Sequence, residues 1–452
     1  MAQPLYLGVD VGTTGAKAIV VDGDGAPHGR GHASYPVDCP APGHVVQDAA
    51  AWQDGASAAV RAACAELDPA RIAALAISAQ GGTLVAVDER HRPLAPARSW
   101  LDRRATAAAA EFERVLGGEQ VYRRTGWPIA PNNTAAQLLD LATSEPDVFA
   151  AARCFCDTAA YLNGWLTGRP TIDANVAGIG QLVNVRERAW DGRMLAVVGV
   201  RPERLPQIAA PGSAIGTLTE DAAAALGLRP GIVVGAGAQD QYCAALGAGA
   251  IDDGDVLLST GTAWVMLAAA DGPYPDPAGG IGSGRHLVPG VWGHFGEVAN
   301  GGVSIEWARR LLNHGDHEPV ALERLDAVLE RTPPGADGAS FFPFFDGTSP
   351  YDRRGSSRGS LIGLSMSHDH RHVLRAVAEG VALALRILLE RYFAVAGRGD
   401  DAPIVVGGAT RSGAWMQLLA DVLATEVRVS GEPDAACVGA AILAAVAADD
   451  LA

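Results

Sequence analysis

Two distant segments of the chain share one pattern, in which an apolar strand enters a glycine- and threonine-rich turn and a second apolar strand follows. They are "LYLGVDVGTTGAKAIVVD" at residues 5–22 and "GDVLLSTGTAWVMLAA" at residues 254–269. Each is followed later by a strand, a glycine turn and a helix, at residues 230–247 and 402–424. Such repetition predicts two related α/β domains, which we place at residues 1–248 and 249–452.

Length and charge agree with this division and narrow the choice of ligand. A chain of 452 residues exceeds what one hydrophobic core organises, so two domains of about 200 residues each are expected. The formal net charge of -16 repels phosphate backbones and anionic membranes. We therefore predict a small-molecule substrate, with neither a nucleic-acid nor a membrane partner.

The remaining composition predicts a cytoplasmic protein. The segment "MAQPLYLGVD" has no basic region typical of a secretory signal. The apolar stretch "AACVGAAILAAVAA" is shorter than the ~20 residues that cross a bilayer, and its small side chains favour a buried helix. The six cysteines show no CxxC spacing and are expected to be reduced thiols.

The first turn is a candidate anion site. Asp10 stands near the end of an apolar strand, and the backbone N–H groups of residues 12–15 could surround a phosphate, with Lys17 adding a positive charge. This is not a Walker A loop, because the spacing differs and Ala18 replaces the hydroxyl residue of that motif. An ordinary β-hairpin, which also favours glycine and threonine, remains the alternative.

Asp240 is a candidate general base. It follows a buried strand and begins a helix, which is where α/β folds place reactive groups. The same position also favours a carboxylate that caps the helix. The spacing alone supports both interpretations equally.

Six blocks of the chain, taken together and in order, resemble the FGGY family of carbohydrate kinases. They are "DVGTTGAKAIVVD", "GAGAQDQYCAALGAG", "STGTAWVML", "NGGVSIEWARRLL", "FFPFFDGTSPYDRRGSSRGSLIGLSMSHDHRHVLRAVAEGVALALR" and "VVGGATRSGAWMQLLADVLATEVRVS". The resemblance implies two actin-like, ribonuclease-H-like α/β domains with a central cleft. It also implies a phosphotransferase that uses ATP and Mg²⁺ to phosphorylate an alcohol group of a sugar.

The resemblance assigns roles to individual residues. Asp240 would be the catalytic base, and Asp10 would lie near Mg²⁺ and the transferred phosphoryl group. The residues implied to bind the phosphates are Gly12, Thr13, Thr14 and Lys17 in the first turn and Gly261 and Thr262 in the second. Those implied to line the ribose and adenine are Gly302, Glu306, Gly408, Ala409 and Ser412.

The sugar is less closely specified. Gly81 and Gly82 stand where glycerol kinases carry Arg-Glu and bacterial xylulokinases carry Met-His. Loss of the Arg-Glu pair argues against glycerol, because sites built on hydrogen bonds to hydroxyls discriminate sharply. Trp100 and Asp102, in the W-x-D-x-R block, would shape the sugar side of the cleft, and Asp102 would accept hydrogen bonds from substrate hydroxyls. Loss of Met-His weakens the case for xylulose without excluding it. Because the overall architecture resembles the xylulokinase-like branch of the family more than the glycerol kinases, we predict a ketopentose such as D-xylulose, with ribulose, erythritol and gluconate as alternatives.

Two further interpretations stay open. An actin-like ATP-dependent switch would share the fold without phosphorylating a sugar, although Asp240 together with a polar sugar-side loop favours a kinase. A catalytically dead sugar-binding regulator would be expected to lose Asp10 or Asp240, and both are present. The resemblance also implies a homodimer as one candidate oligomeric state.

Overall fold

The computed structural model describes residues 3–277, 279–311, 322–345, 357–397 and 402–451. Parts of two blocks that carry the family resemblance, residue 312 and residues 346–356, lie outside the described residues. The chain forms two compact units. The first contains Met1–Gly249, Gly284–Gly290 and Asp434–Ala452, and the second contains Ala250–Ser283 and Val291–Pro433. The segment from residue 434 onward, which we predicted to be part of the second domain, therefore packs in the first unit.

The strands of the described residues are β1 (Leu5–Val11), β2 (Gly15–Val21), β3 (Pro27–Ser34), β4 (Asp38–Ala41), β5 (His44–Gln47), β6 (Ile72–Ala79), β7 (Val85–Val87), β8 (Ala97–Arg98), β9 (Cys154–Cys156), β10 (Thr171–Asp173), β11 (Val183–Asn184), β12 (Ala189–Trp190), β13 (Gln207–Ala209), β14 (Ala214–Thr217), β15 (Val233–Gln239), β16 (Val256–Thr260), β17 (Trp264–Ala270), β18 (Gly282–Arg285), β19 (Trp292–Val298), β20 (Ser340–Phe342), β21 (Ser360–Ile362), β22 (Ile404–Gly407) and β23 (Arg428–Val429).

The α-helices are α1 (Ala49–Ala63), α2 (Thr106–Leu116), α3 (Gly118–Thr125), α4 (Thr134–Ser144), α5 (Pro146–Ala151), α6 (Thr158–Thr167), α7 (Ala174–Ile179), α8 (Gly192–Val198), α9 (Glu220–Leu226), α10 (Asp240–Ala248), α11 (Gly301–Leu311), α12 (Leu322–Arg331), α13 (His370–Ala396), α14 (Gly413–Leu423) and α15 (Ala435–Ala447). Among the described residues, no helix is both long and apolar enough to cross a bilayer.

The first unit is built on a six-stranded sheet in the order β14-β15-β6-β1-β2-β3. β1 and β2 form an antiparallel hairpin, whereas β6 runs parallel to both β1 and β15. Val11, Ala79 and Gln239 are register partners across the three parallel strands. The carboxyl ends of these strands therefore meet at one edge of the sheet, which brings the residues around Asp10 and Asp240 together.

The second unit contains a six-stranded sheet in the order β18-β19-β17-β16-β22-β23. β16 pairs antiparallel with β17 and parallel with β22, as β1 pairs with β2 and β6. β22 thus occupies in the second sheet the place that β6 occupies in the first. The internal repeat in the sequence, which matches β22 with β15, therefore predicts the wrong pair of strands. Both strands lead through a glycine turn into a helix, so the sequence does not distinguish their places in a sheet. Two sheet-rich α/β units confirm the predicted class.

The helix predicted from the small-residue stretch near residue 440 is α15, and most of it is buried. It packs against β1, β6, β15 and α10 in the first unit. A Cβ atom at Gly8 would lie 1.8 Å from the Cys437 carbonyl oxygen, and one at Gly439 would lie 1.9 Å from that of Cys243. Glycine at both positions lets backbone approach backbone, which confirms the prediction of a buried helix.

Asp157 gives the first unit a stability that depends on pH. Its carboxylate is buried and accepts a hydrogen bond of 2.8 Å from the Ala160 N–H at the start of α6. Burial raises the pKa of Asp157 to about 7, and the nearby Asp173 carboxylate contributes to the rise. The native state therefore binds more protons than the unfolded chain between pH about 4 and 7, and its free energy of unfolding falls as pH rises through this window.

We expect Asp157→Asn to stabilise the protein by about 2 kcal/mol at pH 8 and to flatten the pH dependence, because the amide keeps the helix cap without a buried charge. Denaturant unfolding at pH 5 and pH 8 measures both effects. Asp48→Asn, at the exposed N-cap of α1, is the matched control and should change neither. The same pH slope in Asp157→Asn and wild type would contradict this assignment.

Candidate functional site

Asp10 lies at the edge of the first sheet, one residue before the end of β1. The Ser78 hydroxyl on β6 donates a hydrogen bond of 2.7 Å to its Oδ1. Burial raises the pKa of Asp10, whereas the Ser78 hydrogen bond and the charge of Lys17 act in the opposite direction. The charged carboxylate is thus incompletely solvated, so a cation beside it would be stabilised.

The turn between β1 and β2 is stabilised by side chains that donate hydrogen bonds to its carbonyl oxygens. The Tyr35 hydroxyl donates to the carbonyl oxygens of Gly12 at 2.6 Å and Gly15 at 3.0 Å, and Gln47 Nε2 donates to that of Thr13 at 2.7 Å. The backbone N–H groups of Thr13 and Thr14 have no acceptor among the described residues. The hairpin predicted as the alternative is therefore present, and two of its N–H groups are not used by backbone acceptors in the described part of the chain.

Lys17, on β2, is held next to this turn by an ion pair. Its Nζ lies 3.0 Å from Asp434 Oδ1, and Asp434 Oδ2 accepts a second contact of 2.8 Å from Arg30. Desolvation lowers the pKa of Lys17, but the charge and hydrogen bond of Asp434 outweigh it and the pKa is raised. Lys17 is consequently a permanent positive charge near the turn.

Asp240 is the first residue of α10, at the end of β15. Gln239, not Asp240, caps this helix: its Oε1 accepts from the N–H groups of Gln241 at 3.0 Å and Tyr242 at 3.3 Å. The interpretation of Asp240 as the cap is therefore wrong. Gln239 Nε2 and the Gln241 N–H, the latter at 2.8 Å, both donate to Asp240 Oδ1. The carboxylate is oriented by its neighbours and lies in the first helical turn, where negative charge is favourable.

Gly81 lies close to Gln239, the residue before Asp240, and Gly82 lies close to Trp100. A Cβ atom at Gly81 would be 3.1 Å from Ile179 Cδ1 and 3.3 Å from Gln239 Cγ, and one at Gly82 would be 3.5 Å from Trp100 Cβ. Gly82 has a φ of +79°, which favours glycine. The structure thus brings the two predicted glycines and Trp100 to the residue that precedes Asp240.

Asp102 does not have the role predicted for it. Its carboxylate is buried and accepts from the Val45 N–H at 2.8 Å, the Arg104 N–H at 2.9 Å and the Arg104 guanidinium at 2.7 Å. These bonds occupy both oxygens and fix the loop that carries Trp100. The prediction that Asp102 accepts hydrogen bonds from substrate hydroxyls is therefore corrected to one of supporting that loop.

The second unit contains a cavity of about 880 Å³ beside the second turn. Six predicted residues line it: Gly261, Thr262, Gly302, Glu306, Gly408 and Ala409. Ser412 lies outside this lining. It is buried at the N-cap of α14, where its Oγ accepts from the Trp415 N–H at 3.1 Å and donates to Asp326. Ser412 is therefore a structural residue, and its predicted contact with a ligand is corrected.

The cavity is shaped by a close contact between the second turn and α11. A Cβ atom at Gly302 would lie 2.1 Å from the Gly261 carbonyl oxygen, and the Val303 N–H donates to the Thr262 carbonyl at 3.2 Å. The N–H groups of Gly261 and Thr262 have no acceptor in the described part of the chain. The second turn therefore offers backbone donors as the first does.

Sequence reasoning missed several residues of this cavity. They are three tryptophans, Trp264, Trp307 and Trp415, and three arginines, Arg309, Arg310 and Arg411. Trp264 and Trp415 have ring centroids 5.1 Å apart. Arg309 and Arg310 each lie 3.0 Å from Glu306, and their spacing of three and four residues along a helix could have placed them on its face. Aromatic and cationic groups in one cavity suit a ligand with a flat ring and negative charge.

The arrangement agrees with known proteins over nearly the whole chain. The model of the FGGY family of carbohydrate kinases, N-terminal domain, matches residues 5–247, and that of the C-terminal domain matches residues 256–448. The chain is a carbohydrate kinase of the FGGY family. Its two α/β domains are of the actin-like, ribonuclease-H-like type predicted from the sequence.

Two similar relatives of the kinase have different names. A gluconokinase of Bacillus subtilis strain 168 is 27% identical over 97% of this chain and 86% of that protein. A xylulose kinase of the same strain is 26% identical over 97% of this chain and 87% of that protein. The crystal structure of xylulose kinase from Rhodospirillum rubrum matches with a TM-score of 0.87 and 30% identity, covering 99% of this chain and 91% of that one. The family is thus established, whereas the sugar is not.

Trp100 links the predicted sugar side to the turn between β1 and β2, because its Nε1 donates to Thr13 Oγ1 at 3.0 Å. We expect Trp100→Phe to lower kcat/KM about threefold to tenfold, the effect of one net hydrogen bond. Trp190→Phe is the matched control, since Trp190 Nε1 donates at 3.1 Å to the Pro206 carbonyl elsewhere in the same unit. Steady-state kinetics compares them, and equal losses in the two variants would contradict a specific role for Trp100.

Proposed function

We propose that the kinase transfers the γ-phosphoryl group of ATP to a hydroxyl of a small open-chain sugar, with Asp240 as general base. One observation carries the proposal. The register of β1, β6 and β15 places Asp10, the Gly81–Gly82 loop and Asp240 at the same edge of the first sheet. A carboxylate there, beside a polar loop and a turn with N–H donors, has the groups that phosphoryl transfer to an alcohol requires.

Each group has a definite part in the reaction. Asp240 accepts the proton of the attacking hydroxyl, so that the oxygen forms its bond to phosphorus as the bond to ADP breaks. The N–H groups of Thr13 and Thr14 and the charge of Lys17 bind phosphate oxygens. The cavity of the second unit holds the nucleoside, with the N–H groups of Gly261 and Thr262 on its phosphates.

Asp10 fits the Mg²⁺ that ATP brings with it. No group of three or more metal-ligating side chains occurs among the described residues, which excludes a cage of that kind there. Mg²⁺ is commonly held by one or two carboxylates together with substrate phosphates, and Asp10 is a carboxylate whose charge is incompletely solvated. When bound, Mg²⁺ offsets the negative charge of the phosphates.

D-Xylulose is the first candidate substrate. The side chains nearest to Gly81 and Gly82 are those of Ile179, Gln239 and Trp100, and none of them is charged. Asn132 Nδ2 donates at 2.7 Å to the Trp100 carbonyl and so fixes this wall of the site. A neutral polyhydroxy chain suits uncharged apolar and amide groups of this kind.

Gluconate is the second candidate, because α7 connects this wall to a group of arginines. Ile179, at the end of α7, contacts the glycine loop, and Asn175 near its start bonds the Arg285 backbone at 2.6 and 2.9 Å. Burial lowers the pKa of Arg285, and the positive charges of Arg188 and Arg186 lower it further. A carboxylate bound there would relieve this repulsion.

A coupled assay of ADP release with Mg²⁺-ATP tests the proposal and separates the sugars. The panel contains D-xylulose, D-ribulose, erythritol, gluconate and glycerol, with wild type and Arg285→Gln. A response to D-xylulose that Arg285→Gln leaves unchanged supports the first candidate, and a response to gluconate that this variant lowers about tenfold or more supports the second. ADP release that none of these five compounds increases would contradict both candidate substrates. The homodimer and the cytoplasmic location stay predictions.

A further inference from the structure

We propose that Gln239 positions the general base and, in place of a side chain at residue 81, forms the wall of the sugar site. This inference rests on the proposed function, because it needs Asp240 to act as the base. It assigns to Gln239 two roles that its position before a catalytic aspartate does not by itself require.

The amide of Gln239 has only one satisfactory orientation. Its Oε1 must accept from the N–H groups of Gln241 and Tyr242, because a side-chain NH₂ group in that place would face two donors. Its Nε2 is therefore directed to Asp240 Oδ1, to which it donates. The side chain is only 5% exposed, so solvent does not compete strongly for either end. The helix cap thus fixes the donor that contacts the carboxylate.

The absence of a side chain at residue 81 makes room for this arrangement. A Cβ atom at Gly81 would approach Gln239 Cγ to 3.3 Å and Ile179 Cδ1 to 3.1 Å, both closer than ordinary van der Waals contact. Gln239 and Ile179 therefore occupy the space beside the loop that a side chain at residue 81 would enter. In this chain the wall next to the base is built from β15 and α7 instead of from the loop itself.

This geometry has a consequence for catalysis. A hydrogen bond donated to one carboxylate oxygen restricts rotation of the group, so that it accepts a proton in one direction. Gln239 acts through Asp240 and is a positioning residue. Its removal should change kcat and the pH dependence of the reaction more than it changes the KM for ATP.

The first test is the substitution Gln239→Glu, which keeps an oxygen for the helix cap but replaces the donor. We expect kcat at pH 8 to fall about tenfold to a hundredfold, and to recover as pH falls and the new carboxyl group becomes protonated and can donate again. Gln239→Met should lose kcat without this recovery. Thr219→Ala, which removes the side-chain cap of α9 at 3.3 Å, should lower the thermal midpoint but leave the shape of the pH profile unchanged.

The second test is a double-mutant cycle of Gly81→Ala and Gln239→Ala, measured as kcat/KM for the sugar. If the two residues share one space, Gly81→Ala costs at least about threefold less in the Gln239→Ala background than in wild type. Additive costs, or a Gln239→Glu variant with the wild-type pH profile, would overturn the inference. If wild type itself shows no sugar-dependent ADP release, the proposed function fails instead, so the two failures are distinguishable.

Discussion

Asp240→Asn is expected to lower kcat for the sugar about a thousandfold, the largest functional loss that we predict for a single side chain. An amide cannot accept the hydroxyl proton, and a positioned general base contributes about a hundredfold to ten-thousandfold to a rate. The folded structure should remain, because the amide oxygen can still accept from Gln239 and the Gln241 N–H. The binding of ATP, measured by calorimetry, should change little.

Asp221→Asn is the matched control for this variant. Asp221 is an exposed acidic residue in the first turn of α9, in the same unit, and the same substitution there should leave kcat unchanged. Retention of more than about a tenth of the wild-type kcat by Asp240→Asn would remove Asp240 from the role of base.

Gly302→Ala is expected to raise the KM for ATP about tenfold or more with little effect on the KM for the sugar. The added methyl group would lie 2.1 Å from the Gly261 carbonyl oxygen, so either the second turn or α11 must move. Overpacking of this kind costs about 1–3 kcal/mol, and here the displaced atoms belong to the turn whose N–H groups we propose to bind phosphate.

The control for Gly302→Ala is Gly413→Ala at the start of α14. A Cβ atom at Gly413 has no neighbour within 4 Å, so the same substitution should leave the KM for ATP and the thermal midpoint near wild type. A wild-type KM for ATP in Gly302→Ala would show that the contact with Gly261 does not shape the nucleotide site.

The glycine-rich turns and Asp240 could be predicted from the sequence because their chemistry and their location are encoded together. A strand that ends in a glycine turn predicts both the turn and N–H groups without a backbone acceptor, and those of Thr13 and Thr262 have none among the described residues. Their supports could not be predicted. Tyr35 and Gln47 come from elsewhere in the chain, and nothing in their local sequence indicates that they bond the turn.

The incorrect assignments have a common physical cause. Asp102 and Ser412 lie in motifs that suggest ligand contact, but hydrogen bonds with Arg104 and Trp415 use their polar atoms within the fold. The sequence also does not identify the residue that caps α10, because glutamine is not a typical N-cap residue. The structure shows that the Gln239 side chain accepts hydrogen bonds from the first turn of the helix. Sequence patterns identify the polar groups, whereas the folded chain determines which of them remain available to a ligand.

The position of α15 determines when the first unit can complete its folding during synthesis. This helix packs against β1, which carries Asp10, and against β6 and β15, the last of which leads into Asp240, yet it follows the entire second unit in the chain. During synthesis on the ribosome, one face of the sheet in the first unit therefore stays uncovered until α15 emerges. The first unit is thus begun before the second unit and completed only after the second unit has been translated.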